Sequence, residues 1–223
     1  ESASYVVGAT LRALELIFKE GYIHVFVPMA GLHHARKDSA AGFCIFNDIG
    51  VAINKLRKSY GLRDIFYIDI DAHHGDGIFY EFISDPYLYI ADVHEDGRFL
   101  YPGTGNRNER GEKEAFGTKL NIPLLPGSSD DDLLEALKEI QDFSMEFKTQ
   151  LIILQAGSDG IKNDPITHLN YTYDGYEKFI EGIHQLAHKI CEGRLLILGG
   201  GGYNPENTKN SWMRIIKIIN HGG

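Results

Sequence analysis

The run Asp69-Ile70-Asp71-Ala72-His73-His74-Gly75-Asp76-Gly77 packs three carboxylates and two imidazoles into nine residues. In an extended segment, residues two apart point the same way. Asp71 and His73 can therefore reach one point together, with Asp69 on the same side. Two carboxylates and one imidazole suit a borderline divalent ion, and a cage of three protein ligands leaves room for water. Asp159, at the end of another apolar run, is the natural third ligand. Several carboxylates at one buried strand end would repel one another unless a cation sat among them. The pair His33-His34 offers proton transfer, with Asp69 and Asp76 available as partners. A carboxylate on one ring nitrogen fixes the tautomer and raises the basicity of the other, as a general base beside activated water requires. Gly199–Gly202 lead into Tyr203. They match neither G-x-x-x-x-G-K-[ST] nor G-x-G-x-x-G with a distant acid, so a phosphate loop is rejected. Four glycines let the backbone pass close beneath a site, and Tyr203 then projects a hydroxyl suited to polarising a carbonyl or stabilising an oxyanion.

These groups sit where strands end. Apolar runs at His24–Pro28, Ile65–Ile70, Tyr87–Ala91, Leu151–Leu154 and Leu195–Leu198, with a weaker one at Leu120–Ile122, read as strands buried on both faces, the mark of a parallel sheet. Helical periodicity covers 130–148 and 172–191. Ser129 and Asp130–Asp132 suit the first N-terminus, and Gly193 is the expected stop of the second. Alternating strands and helices imply one domain, 1–223, with an open, mainly parallel α/β sheet and helices on both faces. In such sheets ligands bind beyond the carboxyl ends of the strands. The residues following five of the runs are polar or glycine-rich: His33-His34; Asp71 to Asp76; Asp92, His94 and Tyr101; Gly157 and Asp159; Gly199 to Tyr203.

The composition excludes other classes. Hydrophobic residues make up 43% and charged residues 24%, which fits neither a disordered nor a membrane chain. No apolar run approaches the ~18–20 residues of a membrane span. A net charge of −9 argues against general nucleic-acid binding. Two cysteines, Cys44 and Cys191, make no disulfide framework and point to a reducing cytoplasm. The chain opens at Glu1 inside a helix-like pattern and ends on Gly222-Gly223, so both ends read as cut or processed.

With these residues in place, the chain resembles the histone deacetylase superfamily, including its prokaryotic acetoin-utilisation and acetylpolyamine amidohydrolase members. The motifs are GLHHA at 31–35, GFCIFND at 42–48, DIDAHHGDG at 69–77, YPGTG at 101–105, LQAGSD at 154–159 and GGGGY at 199–203. The resemblance implies the arginase–deacetylase fold, lacking its N-terminal part. It implies that Asp71, His73 and Asp159 bind a catalytic zinc, with iron(II) suited to the same donors. It makes His34 the general base and then acid, oriented by Asp76, and gives His33, paired with Asp69, an electrostatic role. Tyr203 would hydrogen-bond the scissile carbonyl. Gly42, Phe43 and Tyr101 would line a narrow channel for an acylated aliphatic chain, with Gly157, Ile166 and Gly201 placed along it. A monovalent cation, K+, would lie near Asp69, Asp71, His73 and Asp92, where many relatives carry serine in place of Asp92. The implied substrates are acetylated lysine in proteins or peptides, acetylated polyamines, or other small acyl amines. The absent upstream part would leave a sheet edge bare, so self-association is expected.

Two alternatives stay open: a non-catalytic homologue that binds acylated ligands, and a binuclear-metal ureohydrolase, which would need a D-x-D where this chain has Asp159-Gly160. Other features read blandly. Cys44 reads as a small buried residue and 106–114 as a solvated, mobile rim. His168 and Ile166 are placed at the site mouth. His184 and His188, at helical spacing without a partner motif, read as surface or helix-flank residues.

Overall fold

Every strand pairing is parallel, and the strands stand in the order β1-β6-β5-β2-β3-β4. The structure is a computed structural model that describes residues 1–221, so Gly222-Gly223 lie outside the described residues. Along the chain the elements are α1 (Ser2–Glu20), β1 (His24–Val27), α2 (Asp48–Tyr60), β2 (Ile65–Asp69), α3 (Asp76–Glu81), β3 (Leu88–Glu95), β4 (Lys119–Leu124), α4 (Asp130–Ser144), β5 (Leu151–Gln155), α5 (Tyr173–Cys191), β6 (Leu195–Leu198) and α6 (Pro205–His221).

Strand alternation divides the core. Phe66 and Ile68 of β2 pack with Leu133 and Ile140 of α4, Phe179 and Ile183 of α5, and Ile215 of α6. Ile65 and Tyr67 face the other way, against Leu14 of α1, Ile53 of α2 and Phe79 of α3. Both faces of the sheet are therefore covered, which is why its strands read as unbroken apolar runs.

The helix ends follow their capping chemistry. Ser129 and Asp132 form a reciprocal capping box on α4. Thr172 accepts from Gly175 N at 3.1 Å to start α5, and Asn47 accepts from Gly50 N at 3.0 Å to start α2. Two boundaries differ from the sequence expectation. The left-handed cap of α5 is Glu192, at φ 57°, with Gly193 following at φ 80°. The chain leaves α4 at Ser144, short of 148, and Phe147 stacks on Tyr89 with ring centroids 4.2 Å apart.

A third difference matters for the site. The run expected at Tyr87–Ala91 continues to Glu95, because β4 pairs with Ile90 to Glu95 and continues the ladder. Asp92 and His94 are thus inside a strand, where they satisfy each other at 2.8 Å.

Lys119 is also buried in this sheet. Its ammonium donates to the carbonyls of Asp85 (2.9 Å) and Leu88 (2.6 Å) and to Thr118 Oγ1 (2.8 Å). Burial brings its pKa down to about 8 from 10.5. Between these values Lys119 binds more protons in the unfolded chain than in the folded one, so its own contribution to stability rises with pH from about 8 towards 10, against the opposite contributions of His33 and His73, whose raised pKa values are about 10. Above about 10 the buried tyrosines, Tyr67 among them with its pKa held well above the usual value, reverse the trend. Between pH 7.5 and 9.8 the stability of wild type relative to Lys119→Met, read by urea unfolding, should rise by roughly 2–3 kcal/mol at most.

Candidate active site

The register aligns the strand ends. Val27 is level with Leu198, Leu198 with Gln155, Gln155 with Asp69, and Asp69 with Asp92. Strand order runs outward in opposite directions from β2 and β5, so their carboxyl ends flank a crevice at a topological switch point. Asp71 and His73 arrive from β2 and Asp159 from β5.

Donor atoms of Asp71, His73 and Asp159 all lie within 4.8 Å of one another, and all three residues are buried. His73 Nδ1 is 3.1 Å from Asp71 Oδ1 and 2.9 Å from Asp159 Oδ2. Burial disfavours a charged His73, but hydrogen bonds to Asp159 and Asp71 outweigh it and raise its pKa to about 10. Burial and the neighbouring Asp71 push Asp159 up to about 7. The cluster thus retains protons that a divalent cation would displace.

The surroundings fit a metal as well. Asp71 Oδ2 accepts from Gln155 Nε2 (2.7 Å) and Gly201 N (2.8 Å), and Asp159 Oδ1 accepts from Ala72 N (2.8 Å). Such contacts fix carboxylates that ligate a metal. A Cβ on Gly201 would lie 2.7 Å from Asp71 Oδ2 and 2.8 Å from Asp159 Oδ2. Gly157 lies under Asp71 in the same way, at 2.6 Å. The residues present fit one divalent ion.

Both histidines after β1 are buried and carboxylate-paired. His33 Nδ1 is 2.8 Å from Asp69 Oδ2, and His34 Nδ1 is 2.7 Å from Asp76 Oδ1. Their fates diverge. Burial opposes charge on His33, yet Asp69 and Asp71 raise its pKa to about 10. Burial and the adjacent His33 lower that of His34, despite Asp76. In the metal-free chain at neutral pH, Asp69 and Asp71 hold a proton on His33, whereas His34 is neutral and able to accept one.

The mouth is aromatic. Around the His73 ring stand His34 (centroids 6.0 Å), Tyr203 (6.4 Å) and Tyr101 (6.5 Å). Phe43, 86% exposed, lies 6.0 Å from Tyr203, and Tyr101 lies 5.2 Å from His34. Asp164 ties the rim together, accepting from Tyr203 N at 2.8 Å and from Ile166 N at 3.1 Å. Burial and nearby carboxylates raise the Tyr203 phenol, so it stays a hydrogen-bond donor.

Gly42 closes one edge of His34. It sits at φ +50°, and a Cβ there would fall 2.2 Å from His34 Cδ2. Gly42→Ala should therefore displace the imidazole. The expected loss in kcat is about 10²-fold, with an unchanged zinc stoichiometry, read by steady-state kinetics and dialysis.

Sequence reasoning missed several supporting residues. Gln155 bridges Gly157 N (2.8 Å) and Asp71, Tyr67 Oη donates to Asp69 at 2.5 Å, and Arg36 donates to Asp76 at 3.0 Å. Only the strand register would have revealed Gln155, level with Asp69. The rim expected at 106–114 is mostly exposed, with Glu109 accepting from Tyr80 Oη (2.7 Å) and Glu112 N donating to Ile83 O (3.0 Å). Cys44 is buried with its thiol pKa raised to about 11 by that burial. His168 is held by Glu95 at 2.7 Å. Asp92 is engaged by His94 and Gly75, and a monovalent cation beside it rests on the resemblance alone. No helix among the described residues is long and apolar enough to cross a membrane.

Known proteins are similar to this chain in sequence and fold. The acetoin utilization protein AcuC of Bacillus subtilis (strain 168) is 40% identical over 217 residues, covering 96% of this chain and 56% of that protein. AcuC of Staphylococcus aureus (strain MRSA252) is 38% identical over 200 residues, covering 89% and 51%. A crystal structure of a histone deacetylase homologue complexed with SAHA superposes with a TM-score of 0.91 at 32% identity, covering 98% of this chain and 57% of that one. The homologue from Aquifex aeolicus gives 0.90 at 32% identity, over the same shares of the two chains. The chain thus spans just over half the length of these relatives. The histone deacetylase domain model matches residues 1–219, and with the shared fold this establishes that the chain belongs to the histone deacetylase family.

Proposed function

We propose that this chain hydrolyses N-acetyl groups from lysine side chains or related amines in a zinc-dependent reaction. The observation that carries the reading is the three-ligand group with a neutral, carboxylate-oriented His34 on one side of His73 and Tyr203 on another. A zinc ion held by Asp71, His73 and Asp159, or iron(II) on the same donors, supplies Lewis-acid polarisation of the amide carbonyl and a lowered water pKa.

The chain's own residues supply the rest. Asp76 accepts the Nδ1 proton of His34 and leaves Nε2 basic. His34 takes a proton from the attacking water and returns it to the leaving amine. His33, paired with Asp69 and 4.1 Å from the His34 ring, acts electrostatically. Tyr203 Oη donates to the substrate carbonyl. Phe43 and Tyr101 flank the methylene chain of the acylated amine. The net charge of −9 favours cationic substrates, either lysine-rich peptides or polyamines. A two-metal reading lacks its extra carboxylate, because the second acidic position of an Asp159-x-Asp pair is Ile161, buried in the apolar core.

The test is acetate release by the zinc-loaded chain from an acetyl-lysine peptide and from an acetylated polyamine. Release from either supports the reading. Binding of both without release, in protein holding zinc, would overturn it in favour of an acyl-ligand binder.

A further inference from the structure

We infer that His24, His184 and His188 form a second metal site, for a divalent first-row ion of the zinc, copper or nickel class, at the opposite end of the sheet from the catalytic crevice. His24 opens β1, and His184 and His188 lie one turn apart near the end of α5. Residues i and i+4 share one helix face, so the spacing read as a bland helix flank brings two rings together over a third from the edge strand. Their separation in sequence from His24, 160 residues or more, hides the cluster from any local motif.

The geometry is that of ligands around one point. His24 Nε2 is 3.1 Å from His188 Nε2, which is 3.3 Å from His184 Nε2. The three donors lie within 4.8 Å of one another. Tetrahedral coordination at the ~2.0–2.1 Å of a zinc–imidazole bond places neighbouring nitrogens about 3.3 Å apart. Little movement is needed to seat an ion.

Chemistry points the same way. His188 Nε2 faces two other ring nitrogens, and one proton or one lone pair cannot satisfy both contacts. Among the described residues no carboxylate is hydrogen-bonded to these three rings; Glu181 acts on His184 through space, and the backbone of Ile219 acts on His24. Burial and the two neighbouring rings hold His24 down to about 4, and burial with His188 lowers His184, so these two rings are neutral at pH 7 and offer lone pairs. Imidazole-only donor sets suit zinc, copper and nickel and leave an open position for water. His184 is buried, His24 half-buried and His188 exposed, which gives an ion a path from solvent.

Zinc stoichiometry by equilibrium dialysis of the full chain tests this, with circular dichroism to confirm folding. The wild-type chain should bind two ions, and His188→Gln, His24→Gln and Asp159→Asn one each. In the Asp159→Asn chain, zinc at 100 times its Kd should raise the melting temperature by about 5–10 °C, and adding His188→Gln should remove that rise. Two ions retained by both histidine variants, or a single ion lost on Asp159→Asn alone, would overturn the site. A single ion that survives Asp159→Asn but not His188→Gln would support it and count instead against the catalytic metal.

Discussion

His34→Ala is expected to lower kcat by about 10²–10⁴-fold while the chain still binds zinc at its catalytic site. The expectation follows from the split between two adjacent histidines with similar carboxylate partners, 2.8 Å and 2.7 Å away. His33 is surrounded by Asp69 and Asp71 and holds its proton. His34 faces that charge and remains neutral. On the proposed mechanism proton transfer falls to His34, and His33 would not cover its loss. Tyr203→Phe should cost about 10²–10³-fold by removing one oxyanion donor, without altering metal binding. Substituting the neighbouring charge, His33→Gln, relieves repulsion on His34, so the acid limb of the kcat/KM profile should move to higher pH. An acid limb that stays in place would mean that His33 does not set the proton affinity of His34.

Asp159→Asn should abolish tight zinc binding at the catalytic site, and Gly201→Ala should weaken it by about 10–100-fold. The first removes one of three donors. The second drives a methyl group against both ligand carboxylates, at 2.7 and 2.8 Å. The two changes differ in their effect on the metal-free chain. Asp159 has a folded pKa raised to about 7, above its usual 3.8. A raised carboxyl pKa contributes stability below about pH 4 that is lost as pH rises through 7. At pH 7.5 Asp159→Asn removes that cost but also the partner that holds the proton on His73, so the two effects oppose each other in the metal-free chain, and zinc should raise the melting temperature of wild type more than that of Asp159→Asn. Calorimetry with and without zinc reads the difference.

Much of this site was legible in the sequence because its parts lie close to strand ends. Asp71 and His73 share a strand terminus, and His33-His34 follow another, so period-two geometry and the strand-end rule bring them to one face. Asp159 required the further step of placing β5 beside β2. Gln155 and Tyr67 stayed hidden because each reads as an ordinary strand residue; their roles appear only once register sets Gln155 level with Asp69. The length of β3 was underread because Asp92 and His94 look like loop residues, yet they neutralise each other inside the ladder. Histidines 24, 184 and 188 were invisible as a group because tertiary packing alone brings them together.

The central claim is tested most directly by turnover of an acetyl-lysine peptide by the full chain carrying zinc at Asp71, His73 and Asp159. Acetate should be released, a chelator should stop the release, and returned zinc should restore it. Equal turnover by the chelated wild type, or by zinc-loaded Asp159→Asn, would contradict the account.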